Sequence, residues 1–134
     1  MILGAGFGGL RAATLLARQG YRVTLIDKNA YHTNTPILYE LAVTPKELAN
    51  NIDLKSIATL PIADLINHYP IAFINQEIKA IDITNRLVRL ENQQAPFDHL
   101  IVALGSEANY FNIPGLKENS LSFKTLTDGL KIRD

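Results

Sequence analysis

The chain has 134 residues, 47% hydrophobic and 19% charged, the make-up of about one folded domain rather than of a disordered or fibrous chain. Thirteen basic and thirteen acidic side chains cancel, so net charge offers no footprint for nucleic acid or anionic lipid. The absence of cysteine excludes disulfides, thiolate metal sites and thiol nucleophiles. No apolar run approaches the roughly 18 residues of a spanning helix, and the apolar opening breaks at once into glycines, unlike a signal peptide.

Residues 1–4 read as a short strand leading into Gly4. Residues 7–19 carry Leu10, Ala13, Leu16 and Ala17 at helical spacing and close at Gly20, a C′ glycine. Residues 22–26 (Arg22-Val23-Thr24-Leu25-Ile26) are β-branched and apolar and read as a buried strand. Strand, glycine turn, helix and strand within residues 1–30 make a βαβ unit with a right-handed crossover.

Prolines then punctuate the chain. Short helices are expected at 37–43 and at 61–67, the latter with Pro61 in its first turn. A strand follows at 71–75. A hairpin is expected within 78–91, with strands 78–84 and 87–90 around Asn85-Arg86, and a further strand over 97–105 ending at Gly105. A helix begins in 124–134, with Leu126 and Leu130 on one face. Three residues before Gly4 and an uncapped last helix suggest a fragment, incomplete at both ends. The fold class that emerges is α/β, a Rossmann-like parallel sheet with an attached antiparallel β-meander.

The chemistry sits in Gly4-Ala5-Gly6-Phe7-Gly8-Gly9, a G-x-G-x-x-G turn between strand and helix. Gly4 permits the tight exit from the strand, Gly6 leaves the backbone open to a diphosphate, and Gly9 lets helix and sheet approach. The N–H groups of the first helical turn then face the phosphates. A Walker-type loop would need Gly-Lys-Ser/Thr and is excluded. Asp27, about twenty residues on at the end of the next strand, can accept hydrogen bonds from an adenosine ribose and would repel a 2′-phosphate, which disfavours NADP. Lys28 reads either as a partner of the ribose or adenine or as a surface lysine. His32, His68 and His99 lack metal-ligand spacing, so no metal site is expected. His32 reads as a loop histidine bonded to backbone or as a residue near a bound cofactor, Tyr31, Tyr39 and Tyr69 as core or cleft-lining aromatics, and Glu40 as a first-turn helix acid or as a proton-carrying acid of an apolar cleft.

Ile2-Leu3-Gly4-Ala5-Gly6-Phe7-Gly8-Gly9-Leu10, Val23-Thr24-Leu25-Ile26-Asp27-Lys28-Asn29, Tyr31-His32-Thr33, Pro36-Ile37-Leu38-Tyr39-Glu40, Leu100-Ile101-Val102-Ala103-Leu104-Gly105-Ser106 and Asn112-Ile113-Pro114-Gly115 together resemble type II NADH dehydrogenases. These are FAD-containing NADH:quinone oxidoreductases of the two-dinucleotide-binding-domain flavoproteins. The resemblance implies a partial FAD-binding domain over 1–134, with 124–134 starting a connecting helix to an NADH-binding domain that this chain lacks. It implies that Gly4, Ala5, Gly6, Phe7, Gly8 and Gly9 hold the FAD pyrophosphate and that Asp27 and Lys28 hold the ribose. Ile78 would lie at the adenine edge, and Ala103 and Gly105 would belong to the second flavin motif. NADH is then the substrate and a quinone the acceptor of the intact enzyme. The implied enzyme is cytoplasmic and peripheral on the inner face of the cell membrane, attached through a C-terminal region absent here, with no nucleic-acid partner; a homodimer stays open. Asn34 and Thr35 depart from the family's aromatic and glutamine, so quinone preference does not carry over. No side chain here need act as acid, base or nucleophile in hydride transfer, so no catalytic residue is assigned. Two alternatives stand beside this reading: another ferredoxin-, sulfide- or disulfide-reductase-like flavoenzyme, and a dinucleotide-binding module without turnover.

Overall fold

A computed structural model describes residues 1–49 and 53–134. In chain order the elements are β1 (Ile2–Leu3), α1 (Phe7–Arg18), β2 (Val23–Asp27), β3 (Tyr31–Thr33), a 3₁₀ turn (Thr35–Ile37), α2 (Leu38–Val43), α3 (Lys46–Ala49), α4 (Leu54–Ala58), β4 (Thr59–Pro61), α5 (Ile62–Ile66), β5 (Ile71–Asn75), β6 (Ile78–Asp82), β7 (Leu87–Leu90), β8 (Gln94–Pro96), β9 (Ile101–Val102) and α6 (Leu126–Arg133). They fall into two units, residues 1–32 with 61–105, and residues 33–60 with 106–134.

The first unit is built on a parallel four-stranded sheet in the order β5-β2-β1-β9. Its side chains obey the two-residue strand period. Ile2 pairs with Leu25 in register and both turn to one face, packing with Ala13 and Ala17 of α1 and Ile62 and Ile66 of α5. Leu3 pairs with Ile26 on the other face, where they meet Val88 and Leu90 of a three-stranded antiparallel meander, β6-β7-β8. Small residues on the buried stripe of α1 bring it close to the sheet. The helix ends in a Schellman motif: Gly20 lies at φ +87°, its N–H donates to the Ala17 carbonyl, and the Tyr21 N–H donates to the Leu16 carbonyl.

Several boundaries differ from the sequence expectation. The second strand runs 23–27 rather than 22–26, because Asp27 pairs with Asn75 of β5. The strand expected over 97–105 is ordered only at Ile101–Val102, matching the two residues that β1 offers it, and the Ala103 N–H extends the pairing to the Leu3 carbonyl at 2.7 Å. Pro61 caps α5 rather than entering its first turn, and that helix covers Ile62–Ile66. The meander gains β8, which supplies an edge to β7.

In the second unit, Leu38 and Leu41 of α2 pack with Ala58 of α4 and Leu126 of α6. A Cβ added at Gly129 would stand 3.0 Å from Leu41 Cδ2, so α6 crosses α2 at a residue with no side chain. Thr125 and Asp128 close a capping box at the start of α6. Burial raises the Asp128 carboxyl, but N–H groups of Lys124 and Thr125 and the Ser122 and Thr125 hydroxyls outweigh it and hold the pKa down to about 2.

Candidate functional site

Strands β2 and β5 lie on one side of β1 and β9 on the other, so the sheet changes winding direction beside β1. Ligands of open α/β sheets bind outside the carboxyl ends of the strands at such a switch point. The glycine turn leaves β1 at that end. Gly4 sits at φ +96°, a conformation that a side chain would strain, and a Cβ there would meet the Ala103 carbonyl oxygen at 2.3 Å. A Cβ at Gly9 would lie 1.8 Å from the Gly4 carbonyl oxygen and 3.5 Å from Ala103 Cβ. These contacts bring the first turn and the end of β9 together. Around Gly6 and Gly8 a Cβ would meet nothing within 4 Å, and the same holds at Gly105. The turn is thus closed on its sheet side and open on its outer side.

Helix α1 starts from Gly6, with no side-chain cap and no acid in its first turn. Its leading amides are therefore not capped by a side chain of the helix itself. Ala5, buried between strand and helix, contributes through its backbone. Its N–H donates to Asp27 Oδ2 at 2.7 Å, while the Asn29 N–H donates to Asp27 Oδ1 at 2.8 Å. The Asp27 carboxylate thus fastens the turn to the end of β2. Each oxygen accepts one bond here and retains acceptor capacity for another.

His32 is 5% exposed, and its Nδ1 stands 3.0 Å from the Ala5 carbonyl oxygen. The backbone bond expected of this histidine is present, with its partner in the glycine turn, but the residue stands in strand β3 rather than in a loop. Phe7, 55% exposed, sets its ring edge-on to His32 with centroids 4.6 Å apart.

Other expected residues stand elsewhere. Lys28 is exposed, and its charge adds a small pull on the Glu77 carboxyl, which the hydrogen bond and charge of Lys79 hold below its usual range. Ile78 turns its side chain into the core cluster of Leu3, Ile26, Val88 and Leu90. Tyr31 and Tyr39 are exposed rather than core, because each sits on the outer side of a short element. Tyr69 packs at the margin of the first cluster, and its hydroxyl accepts a bond from Arg18 Nη2 at 2.6 Å. Glu40 is an exposed first-turn acid of α2 that accepts a bond from the Tyr39 hydroxyl. Among the described residues, no cluster of three histidine, aspartate or glutamate side chains could hold a metal, and no helix is long and apolar enough to cross a membrane.

Comparison with known proteins adds a family. Residues 1–134 match the profile described as pyridine nucleotide-disulphide oxidoreductase. The chain is 32% identical to demethylphylloquinone reductase NdbB of Synechocystis, with 98% of this chain aligned to 34% of that protein. It is 31% identical to the type II NADH:quinone oxidoreductase NdhA of Mycobacterium tuberculosis, over 99% of this chain and 28% of that one. The chain thus spans about a third of the length of the curated relatives it matches. Among solved structures, the sulfide:quinone oxidoreductase of Aquifex aeolicus superposes with a TM-score of 0.81 at 27% identity, covering 98% of this chain and 30% of that one.

Proposed function

The chain belongs to the pyridine nucleotide-disulphide oxidoreductase family, and from that premise we propose that it is the FAD-binding portion of a flavoprotein NADH dehydrogenase that passes electrons from NADH to a quinone. The observation that carries the reading is the glycine turn, closed toward the sheet at Gly4 and Gly9 and open outward at Gly6 and Gly8. A diphosphate fits that opening, because the uncapped amides at the start of α1 offer donors and the dipole favours negative charge.

In this reading Gly4, Gly6, Gly8 and Gly9, with the backbones of Ala5 and Phe7, form the diphosphate cradle. Asp27 uses its remaining acceptor capacity for the ribose hydroxyls, with Lys28 beside it. Ile78 offers its backbone at the adenine edge, while its side chain stays in the core. Ala103 and Gly105 let the chain after β9 pass close to the cofactor. FAD, when bound, supplies the hydride-accepting and electron-passing chemistry. The residues of this chain bind and orient; none is assigned an acid, base or nucleophile. Quinone reduction draws support from two relatives of about 30% identity, one named a demethylphylloquinone reductase and the other a type II NADH:quinone oxidoreductase. The same reading puts the NADH-binding residues and the membrane attachment outside this chain, and makes the intact enzyme peripheral on the cytoplasmic face.

The test is the visible spectrum of the purified full protein. Two-banded flavin absorption, bleached anaerobically by NADH and restored by a quinone, is the expected result. A colourless protein that is protected from heat by NAD and not by FAD would replace this reading with a non-flavin dinucleotide module. A second reading keeps the flavin and makes sulfide the donor, on the strength of the Aquifex match. Bleaching by sulfide and not by NADH would select it.

A further inference from the structure

We infer that His32 is a positioning residue for the cofactor turn: it aims the Gly6 N–H at the diphosphate by gripping the other side of the same peptide unit. The inference rests on the dinucleotide-binding reading of the turn.

The Ala5 carbonyl and the Gly6 N–H belong to one planar trans peptide, in which oxygen and hydrogen point in opposite directions. The Ala5 oxygen lies 3.0 Å from His32 Nδ1 on the buried side. The Gly6 N–H is thereby turned away from His32, toward the side on which Gly6 is exposed and a Cβ would meet nothing within 4 Å. A carbonyl oxygen only accepts, so Nδ1 must carry its proton. That fixes the ring's hydrogen-bonding direction.

The preceding amide is fixed as well, because the Ala5 N–H donates to Asp27 Oδ2 at 2.7 Å. Two side chains from separate elements, Asp27 at the end of β2 and His32 in β3, therefore hold both backbone polar groups of Ala5. The peptide is left little freedom to rotate before Gly6. Phe7, one residue past the peptide, packs edge-on to the imidazole with the two ring planes at 87°. A ligand that needs the Gly6 amide then meets a donor already aimed, and loses less freedom on binding. Without His32, the peptide can turn its N–H away from the ligand, and the buried Ala5 carbonyl loses its partner.

The experiment compares His32→Asn, His32→Gln and His32→Leu with Gly6→Val in the full protein, measuring FAD affinity by flavin fluorescence and the apoprotein by circular dichroism and ¹⁵N NMR. Asparagine can place its amide nitrogen where Nδ1 stands; the glutamine amide lies one methylene farther out. The expected order is near-native FAD affinity for His32→Asn and roughly tenfold weaker binding for His32→Gln and His32→Leu. The Gly6 amide resonance should shift in the apoprotein of the last two and stay in place in His32→Asn. The wild-type ¹⁵N spectrum should show a protonated Nδ1. An unprotonated Nδ1, or His32→Leu binding FAD within twofold of wild type, overturns the inference. If His32→Leu does not fold, equal affinities of the asparagine and glutamine variants overturn it instead. Gly6→Val reports on the underlying reading: undiminished FAD binding there refutes the cradle itself, whereas loss in Gly6→Val with none in His32→Leu refutes only the role of His32.

Discussion

Replacing Gly9 by alanine puts a carbon 1.8 Å from the Gly4 carbonyl oxygen and 2.9 Å from its carbon. Neither neighbour is the mobile end of a side chain; both are backbone of the turn that fixes the exit from β1. Helix α1 and the turn must part to make room, and overpacking of this kind costs about 1–3 kcal/mol, with a rigid backbone neighbour at the upper end. Alanine recovers up to about 1 kcal/mol of helix propensity over glycine. The net is a destabilisation of about 2 kcal/mol, or a melting point lower by roughly 5–10 °C for a chain of this size. Gly8→Ala is the matched control, because it lies in the same helix and its Cβ would meet nothing within 4 Å. It should melt at or slightly above the wild-type temperature. Thermal unfolding followed by circular dichroism checks both, and a Gly9→Ala protein as stable as wild type would refute the close approach of α1 to the turn.

Asp27→Ala removes the acceptor of two backbone N–H groups, those of Ala5 and Asn29. It should lower stability by about 1–3 kcal/mol in urea denaturation as well as weaken FAD; a variant with normal stability would free Asp27 from its place in the turn. The Asp128 carboxyl, held down to about 2, contributes stability that is fully present above the unfolded value of about 3.9 and is lost as pH falls toward 2. Because the group still meets solvent, screening reduces that contribution to about 1 kcal/mol. The gap in urea midpoint between wild type and Asp128→Ala should accordingly close between pH 5 and about 2, and a gap of constant size would contradict the capping box.

The βαβ unit was legible because its signals are local and agree: small and apolar residues at helical spacing in α1, a glycine stop at Gly20, and a β-branched run in β2. Less legible was anything set by a distant partner. The strand expected over 97–105 contracts because its length depends on how much of β1 lies beside it. Strand β8 leaves no signal in the sequence, because Gln94-Ala95-Pro96 has little β-propensity and is tolerated as an edge that β7 completes. Two helix starts do carry local signals, with Asp53 capping α4 and Thr125 with Asp128 boxing α6.

In the candidate site, the residues of the glycine turn and the acid at the end of β2 could be named from spacing alone. Their bonding could not. Asp27 spends one acceptor site of each oxygen on backbone amides, and His32 reaches back to Ala5. Backbone donors and acceptors leave no mark in residue identity, so a sequence pattern names the side chain without naming what it holds.

In a crystal structure of the FAD-loaded protein, the diphosphate should lie against the backbone amides of Gly6, Phe7 and Gly8, with the adenosine ribose on Asp27. An adenine-bearing ligand seated away from the carboxyl ends of β1 and β2, with those amides facing water, would contradict that placement.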